Sequence, residues 1–247
     1  MYQDRVKTHP KNREREPAQL ECVTCQILNL TPFHNCSHET LERSFPSRRL
    51  LFFEKDEVLF RERESAEGVY CLYSGKVKVS KRGKDQQEYI TRLASPGYIL
   101  GLSLFTGKLY ANSAAALEKT AACFIHKDDF IPFIKSNPDV LIEVMKHICY
   151  EIEVVEQNIS GIVQKSCRER LAETLLMLRG TYGTDSNDFL KVVLSIRDLA
   201  NFVRISETIM ERLICNLVRE RIIRVEDERI QLLNIPKLYE IAGATGR

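Results

Sequence analysis

From Leu50 to about Lys127, apolar and polar residues alternate in short runs such as VYCLYSGKVKVS. Turn signals punctuate them at Ser74-Gly75, Arg82-Gly83, Pro96-Gly97 and Thr106-Gly107. Period-two alternation puts every second side chain on one face of a strand. Short strands at such regular spacing predict a sandwich or jelly roll with its own core.

Between about Asp139 and Arg179 the period changes. The stretch has no proline and one glycine, Gly161, while Val144, Ile148, Ile152, Val155, Ile159 and Ile162 follow steps of three and four. This predicts one long amphipathic helix, broken or bent near Gly161, and a shorter helix through Leu178. Such a stripe must be covered. The roll could do so, but a second copy of the same helix is the preferred cover, giving a homodimer with these residues at its interface.

After Gly180 the segment TYGTDSNDF reads as a turn-rich linker. Ser195 is the expected N-cap of a helix from Ile196 to Val203. Arg204-Ile205 forms a tight turn, and Ser206 caps a second helix to about Arg219. Two short strands, near Ile222–Val225 and Ile230–Leu233, flank the turn EDER. The outline is a winged helix-turn-helix. In that motif the start of the second helix meets base edges, here Ser206, Glu207, Thr208, Glu211 and Arg212. Arg212 suits guanine, a glutamate suits cytosine N4, and Thr208 suits a thymine methyl or a phosphate. Arg197, Arg204, Arg219 and Arg221 are expected phosphate contacts.

Composition narrows the class. With 247 residues, 44% hydrophobic and 28% charged, the chain is globular and large enough for two cores. Residues 1–20 form a basic tail without an apolar stretch, and no apolar run spans a bilayer, so a cytoplasmic protein without membrane contact is expected. The net charge of +2 gives no global argument for nucleic acid, and residues 166–247 balance 13 Lys/Arg against 12 Asp/Glu. DNA binding would then rely on base contacts and dimer geometry. No phosphate-binding loop, G-x-S-x-G turn or HExxH helix points to an enzyme. A small-ligand-binding signalling module without DNA binding is the competing class, and the helix-turn-helix argues against it.

Cysteines carry the remaining chemistry. Three of the eight, Cys22, Cys25 and Cys36, fall in ECVTCQILNLTPFHNC. With His34 or His38 they could form a Cys3His zinc clip, and a Cys-x-x-Cys pair could also be a thiol switch. Cys71, Cys149, Cys167 and Cys215 read as core or boundary residues.

The order of parts, with DEVLFRERESAEGVYCLYSGKVKV, GYILGLSLF, CRERLAETLLML and LSIRDLANFVRISETIMERL, resembles the CRP/FNR family of bacterial transcription regulators, over roughly Glu21 to Ala242. The resemblance implies an α+β fold. Its expected parts are a tail (1–20), a cysteine-bearing segment with a cyclic-nucleotide-binding-like β-roll (21–138), a dimerisation helix (139–165) and a winged helix-turn-helix (166–247). It also implies an operator in double-stranded DNA and contact with RNA polymerase. Cyclic-nucleotide members carry Gly-Glu and Arg-Ser pairs, where this chain has Leu100-Gly101-Leu102-Ser103 and Tyr110-Ala111-Asn112-Ser113. Without that arginine, cyclic AMP is not expected.

The chain instead resembles the oxygen-sensing FNR branch, whose N-terminal cysteines and one distant cysteine hold a [4Fe–4S] cluster. The matching residues are Cys22, Cys25, Cys36 and Cys123, and the implied function is a regulator that responds to oxygen, redox state or nitric oxide. There are two departures. Ten residues separate Cys25 from Cys36 where the branch has five, and Val155 stands where the branch carries an aspartate on its dimer helix.

Overall fold

The computed structural model describes residues 25–84 and 87–243, apart from the side chains of 157–163. Cys22, the tail 1–20 and the side chains of Ile159 and Ile162 lie outside the described residues.

Eight strands build the roll. Strands β1 (Arg49–Phe53), β3 (Gly68–Ser74), β6 (Ile99–Leu100) and β8 (Thr120–His126) form one antiparallel sheet in the order β1-β8-β3-β6. Strands β2 (Val58–Phe60), β4 (Val77–Arg82), β5 (Glu88–Ala94) and β7 (Ser113–Ala116) form the other, in the order β2-β7-β4-β5. Between the sheets lies a core of Phe53, Phe60, Leu72, Val77, Val79, Leu100 and Ala114.

The first sheet is buried on both faces, which explains why β3 reads GVYCL rather than strictly alternating. Leu72 packs inside the roll, while Val69 and Cys71 face a second apolar layer with Phe33, Leu41, Phe45, Phe130 and Phe133. That layer is supplied by the N-terminal segment, α1 (His38–Ser44), α2 (Lys127–Ser136) and the start of α3 (Pro138–Gln164). The pattern missed α2 because Pro132 sits inside it, where proline usually ends a helix.

Helix α3 has 27 residues and is about 40 Å long. The expected break near Gly161 is not there. The helix runs through Gly161 to Gln164, and the chain turns at Ser166, which opens α4 (Cys167–Tyr182) with a capping box. Ser166 Oγ accepts from the Glu169 N–H at 3.3 Å, and Glu169 Oε2 accepts from the Ser166 N–H at 2.7 Å. An interior glycine costs about 1 kcal/mol without ending a helix; a reciprocal cap starts a new one.

The stripe on α3 also divides. Val144 is 2% exposed and packs with Val140 into the chain's own second layer, with Ile148 half-buried beside them. At about 100° per residue, Leu141, Met145 and Ile152 occupy the adjoining face and are exposed, while Val155, in line with Val144 but three turns further along the helix, is exposed as well. Val144 therefore belongs to the chain's own core and not to a free face.

Helices α5 (Ile196–Val203) and α6 (Glu207–Arg219) have the expected bounds, and Arg204 makes the turn between them at φ 62°. The wing strands β9 (Ile223–Glu226) and β10 (Arg229–Leu232) each shift by one residue. Asp227 and Glu228 both have positive φ, as a two-residue I′ hairpin turn requires. A last helix, α7 (Ile235–Ala242), closes this core with Leu238 and Ala242 over Leu171 and Leu175.

Candidate functional site

Two regions collect the chemistry-bearing residues. The first is a cleft over the outer face of the first sheet. Residues 25–36 reach it through tight turns: the Leu28 N–H donates to the Cys25 carbonyl at 3.2 Å, and Thr31 Oγ1 donates to the Leu28 carbonyl at 2.8 Å. Phe33 then anchors the segment, its ring 5.8, 6.5 and 6.0 Å from those of Phe45, Phe130 and Phe133.

The space left beneath is an almost wholly apolar cleft, part of it open to solvent. Its walls include Cys25 from the segment, Cys71 from β3, Cys123 from β8 and one cation, Arg48. Cys71 and Cys123 are direct partners across the antiparallel ladder, so their side chains share a face. Burial pushes the Cys25 thiol pKa up against the pull of bonds from the Ile27 and Leu28 backbone. Burial also raises Cys36, and the nearby Asp139 carboxylate raises it further.

The expected ligands are therefore distributed unevenly. Cys25 and Cys123 meet in the cleft, and Cys22 lies outside the described residues. Cys36 is not part of the lining; it stands at the start of α1, near the first turn of α3. Among the described residues no three His, Cys, Asp or Glu stand close enough to hold a single ion. His34 Nδ1 lies 3.1 Å from the Thr31 carbonyl, and His38 Nδ1 is buried without a hydrogen-bond partner. Cys71 is legible in the sequence only as a core residue, because its pairing with Cys123 depends on the strand order of the roll.

The second region is the exposed start of α6. Ser206 Oγ accepts from the Ile209 N–H at 3.3 Å, which fixes the helix N-terminus. Ser206, Glu207, Thr208, Glu211 and Arg212 are all exposed on one side, and Met210, Ile214 and Leu217 anchor the other. Arg197 Nε bonds Glu207 Oε1 at 3.0 Å, so two expected contact residues hold each other. Arg204 is half-buried in the turn, and Cys215 is exposed one turn beyond Glu211.

Residues 50–137 match the family model of the cyclic nucleotide-binding domain, and residues 169–241 match the Crp-like helix-turn-helix domain. The chain belongs to the CRP/FNR family of transcription regulators. It is 27% identical over 194 residues to the anaerobic regulatory protein of Bacillus subtilis, covering 77% of this chain and 80% of that protein. It is 24% identical to the fumarate and nitrate reduction regulatory protein of Vibrio cholerae, covering 92% of each. The fold matches that of FixK2 from Bradyrhizobium japonicum at a TM-score of 0.71 and 21% identity, over 81% of this chain and 99% of the other. This CRP/FNR chain is accordingly a DNA-binding regulator and not an enzyme. No helix among the described residues is long and apolar enough to cross a membrane.

Proposed function

We propose that this regulator is a cytoplasmic homodimer whose grip on its operator responds to oxygen or redox state through a [4Fe–4S] cluster in the cysteine cleft. The observation that carries this reading is the meeting of Cys25 and Cys123, far apart in sequence, in one apolar cleft. Two of the expected donors, Cys25 and Cys123, line the cleft. Thiolates suit iron–sulfur clusters, the low-polarity wall favours a compact charged group only when ligands neutralise it, and Arg48 supplies a compensating cation.

When bound, such a cluster supplies oxygen-labile iron–thiolate chemistry. The chain's own residues do the rest. Cys25 and Cys123 would hold it from the loop and the sheet, the Phe33 anchor keeps the loop in place, and Val140 and Val144 pack α3 into the same layer. The relatives named for anaerobic and for fumarate and nitrate regulation support the same reading. At the other end, α6 would enter the major groove with Arg212 reading a base and Arg197 and Arg204 near phosphates. The exposed residues Leu141, Met145, Ile152 and Val155 would pair two chains, with Val155 favouring association without the cluster. RNA polymerase would be met at the promoter.

The test is iron and acid-labile sulfide measured on protein kept from air throughout, with a gel shift on genomic fragments. Brown protein with near-equal iron and sulfide, bleaching in air with a change in DNA retardation, is expected. Colourless protein with stoichiometric zinc, or with metal-free thiols that oxidise reversibly, would overturn the cluster.

A further inference from the structure

The foot of α3 is tied to the helix-turn-helix by a side chain that the DNA contacts above do not use. Arg170 stands near the start of α4, half-buried at the corner where the chain leaves α3. Its Nη1 donates to the carbonyl of Lys165, one residue past α3, at 3.0 Å. Its Nε donates to the carbonyl of Val203, the last residue of α5, at 3.3 Å. We propose that Arg170 is a positioning residue for DNA binding, which fixes the angle between α3 and the helix-turn-helix and with it the half-site spacing that a pair of chains accepts. This inference rests on the homodimer reading above.

Both acceptors need a donor from outside. The last carbonyls of a helix have no partner within it, and a cation there also meets the negative end of the helix. A guanidinium presents its donors in a rigid planar fork, so bonds to two elements fix a direction as well as a distance. Two other devices at this corner do less. The capping box of Ser166 and Glu169 shapes the start of α4 from its own residues. The Lys165–Glu173 ion pair has side chains 31% and 51% exposed, where such a pair contributes little.

The recognition helix follows the same corner. Val203 immediately precedes the Arg204 turn into α6. At the far end of α6, Arg168, two residues before Arg170, holds Glu220 through bonds of 2.7 and 2.5 Å. Helix α6 is thus tied at both ends to the start of α4, and Arg170 ties that start to α3. In a dimer built on α3, the two recognition helices are then held at one separation. One base pair inserted between half-sites turns one of them by about 34° and moves it by about 3.4 Å, which a fixed pair of helices does not follow.

The experiment uses the full chain, prepared without air, as wild type, Arg170→Lys and Arg170→Met. The probe is the two-fold duplex that the wild type selects from a random-sequence library, with base pairs added or removed one at a time at its centre, beside a single half-site. Fluorescence anisotropy gives the affinities, while sedimentation and circular dichroism report assembly and folding. The wild type is expected to prefer the selected spacing by at least about tenfold over a change of one base pair. Both variants, folded and dimeric, should lower that ratio at least about fivefold and keep half-site affinity within about threefold of wild type. Lysine keeps the charge but not the fork, so Arg170→Lys would rescue a phosphate contact but not a fixed angle. A smaller fall in the ratio in either variant overturns the inference, whatever the absolute affinity, as does a dimeric wild type with less than the expected preference. A larger loss of half-site affinity, or failure of both variants to fold or dimerise, also overturns it, because Arg170 then serves only stability or assembly. A monomeric wild type that selects single half-sites overturns the dimer reading and this inference together, whereas the other adverse results leave the wild-type dimer standing.

Discussion

Lys78 of β4 and Asp198 of α5 form an ion pair between the roll and the first helix of the helix-turn-helix, with side chains only 12% and 9% exposed. Ser195 Oγ donates to the same Asp198 carboxylate at 2.9 Å, so the cap of α5 and the interdomain contact share one group. Burial pulls the Lys78 pKa down, but the bond and charge of Asp198, with Glu88 at 3.5 Å, outweigh it and leave the ammonium raised above 10.5. A raised lysine contributes its full stability below its unfolded value, and this is lost only as pH rises through the folded one.

Removing Lys78 alone should therefore be worse than removing the pair. Lys78→Met leaves a buried carboxylate without its cation and is expected to cost about 3 kcal/mol in urea unfolding at neutral pH. The double variant Lys78→Met/Asp198→Asn should recover at least half of that. Equal losses in the single and double variants would show that the pair does not couple the two domains.

At the DNA-facing end, Arg212 and Arg197 should behave differently. Arg212→Ala is expected to weaken operator binding by about 1–3 kcal/mol and relax specificity at one base pair. Arg197→Ala should weaken all sequences alike and lower the salt slope by about 1. Fluorescence anisotropy over a salt series with matched and scrambled duplexes separates the two.

Local signals account for the parts of the fold that are readable in the chain. Ser195 and Ser206 stand one residue before α5 and α6, and a cap is decided by the residues beside it, so these bounds are unshifted. Gly161 is a misleading signal because the end of α3 is set further along the chain, where Ser166 and Glu169 offer the next helix a better start. Periodicity shows that a face is apolar but not what covers it, so Val144 reads as an interface residue and is a core residue. Cys71 and Lys78 are out of reach for the same reason at longer range. Their partners, Cys123 and Asp198, are brought in only by strand order and domain docking.

The capping box gives a pH effect. The Ser166 hydroxyl and N–H hold the Glu169 carboxyl below the usual 4.5. A depressed carboxyl contributes stability above its unfolded value, and this is lost as pH falls through the folded one. Glu169→Gln should thus narrow the stability difference between pH 7 and pH 4 relative to wild type, read by thermal melting. An unchanged difference would show that the box does not persist in solution.

The two faces of α3 make opposite predictions for substitutions only one residue apart. Met145 is 55% exposed and Val144 2%. Met145→Glu, or Ile152→Glu on the same face, would put a charge where two chains are proposed to meet, and sedimentation at micromolar concentration should show folded monomer whose melting temperature no longer depends on protein concentration. Val144→Ala empties part of the layer between α3 and the roll and should cost about 2 kcal/mol while leaving association intact in the folded protein. If Met145→Glu and Ile152→Glu leave the dimer intact, the pairing face lies elsewhere, and if folded Val144→Ala dissociates it, the Val144 side of the helix belongs to that face. The contrast needs no metal in the cleft, so it tests assembly independently of the sensor.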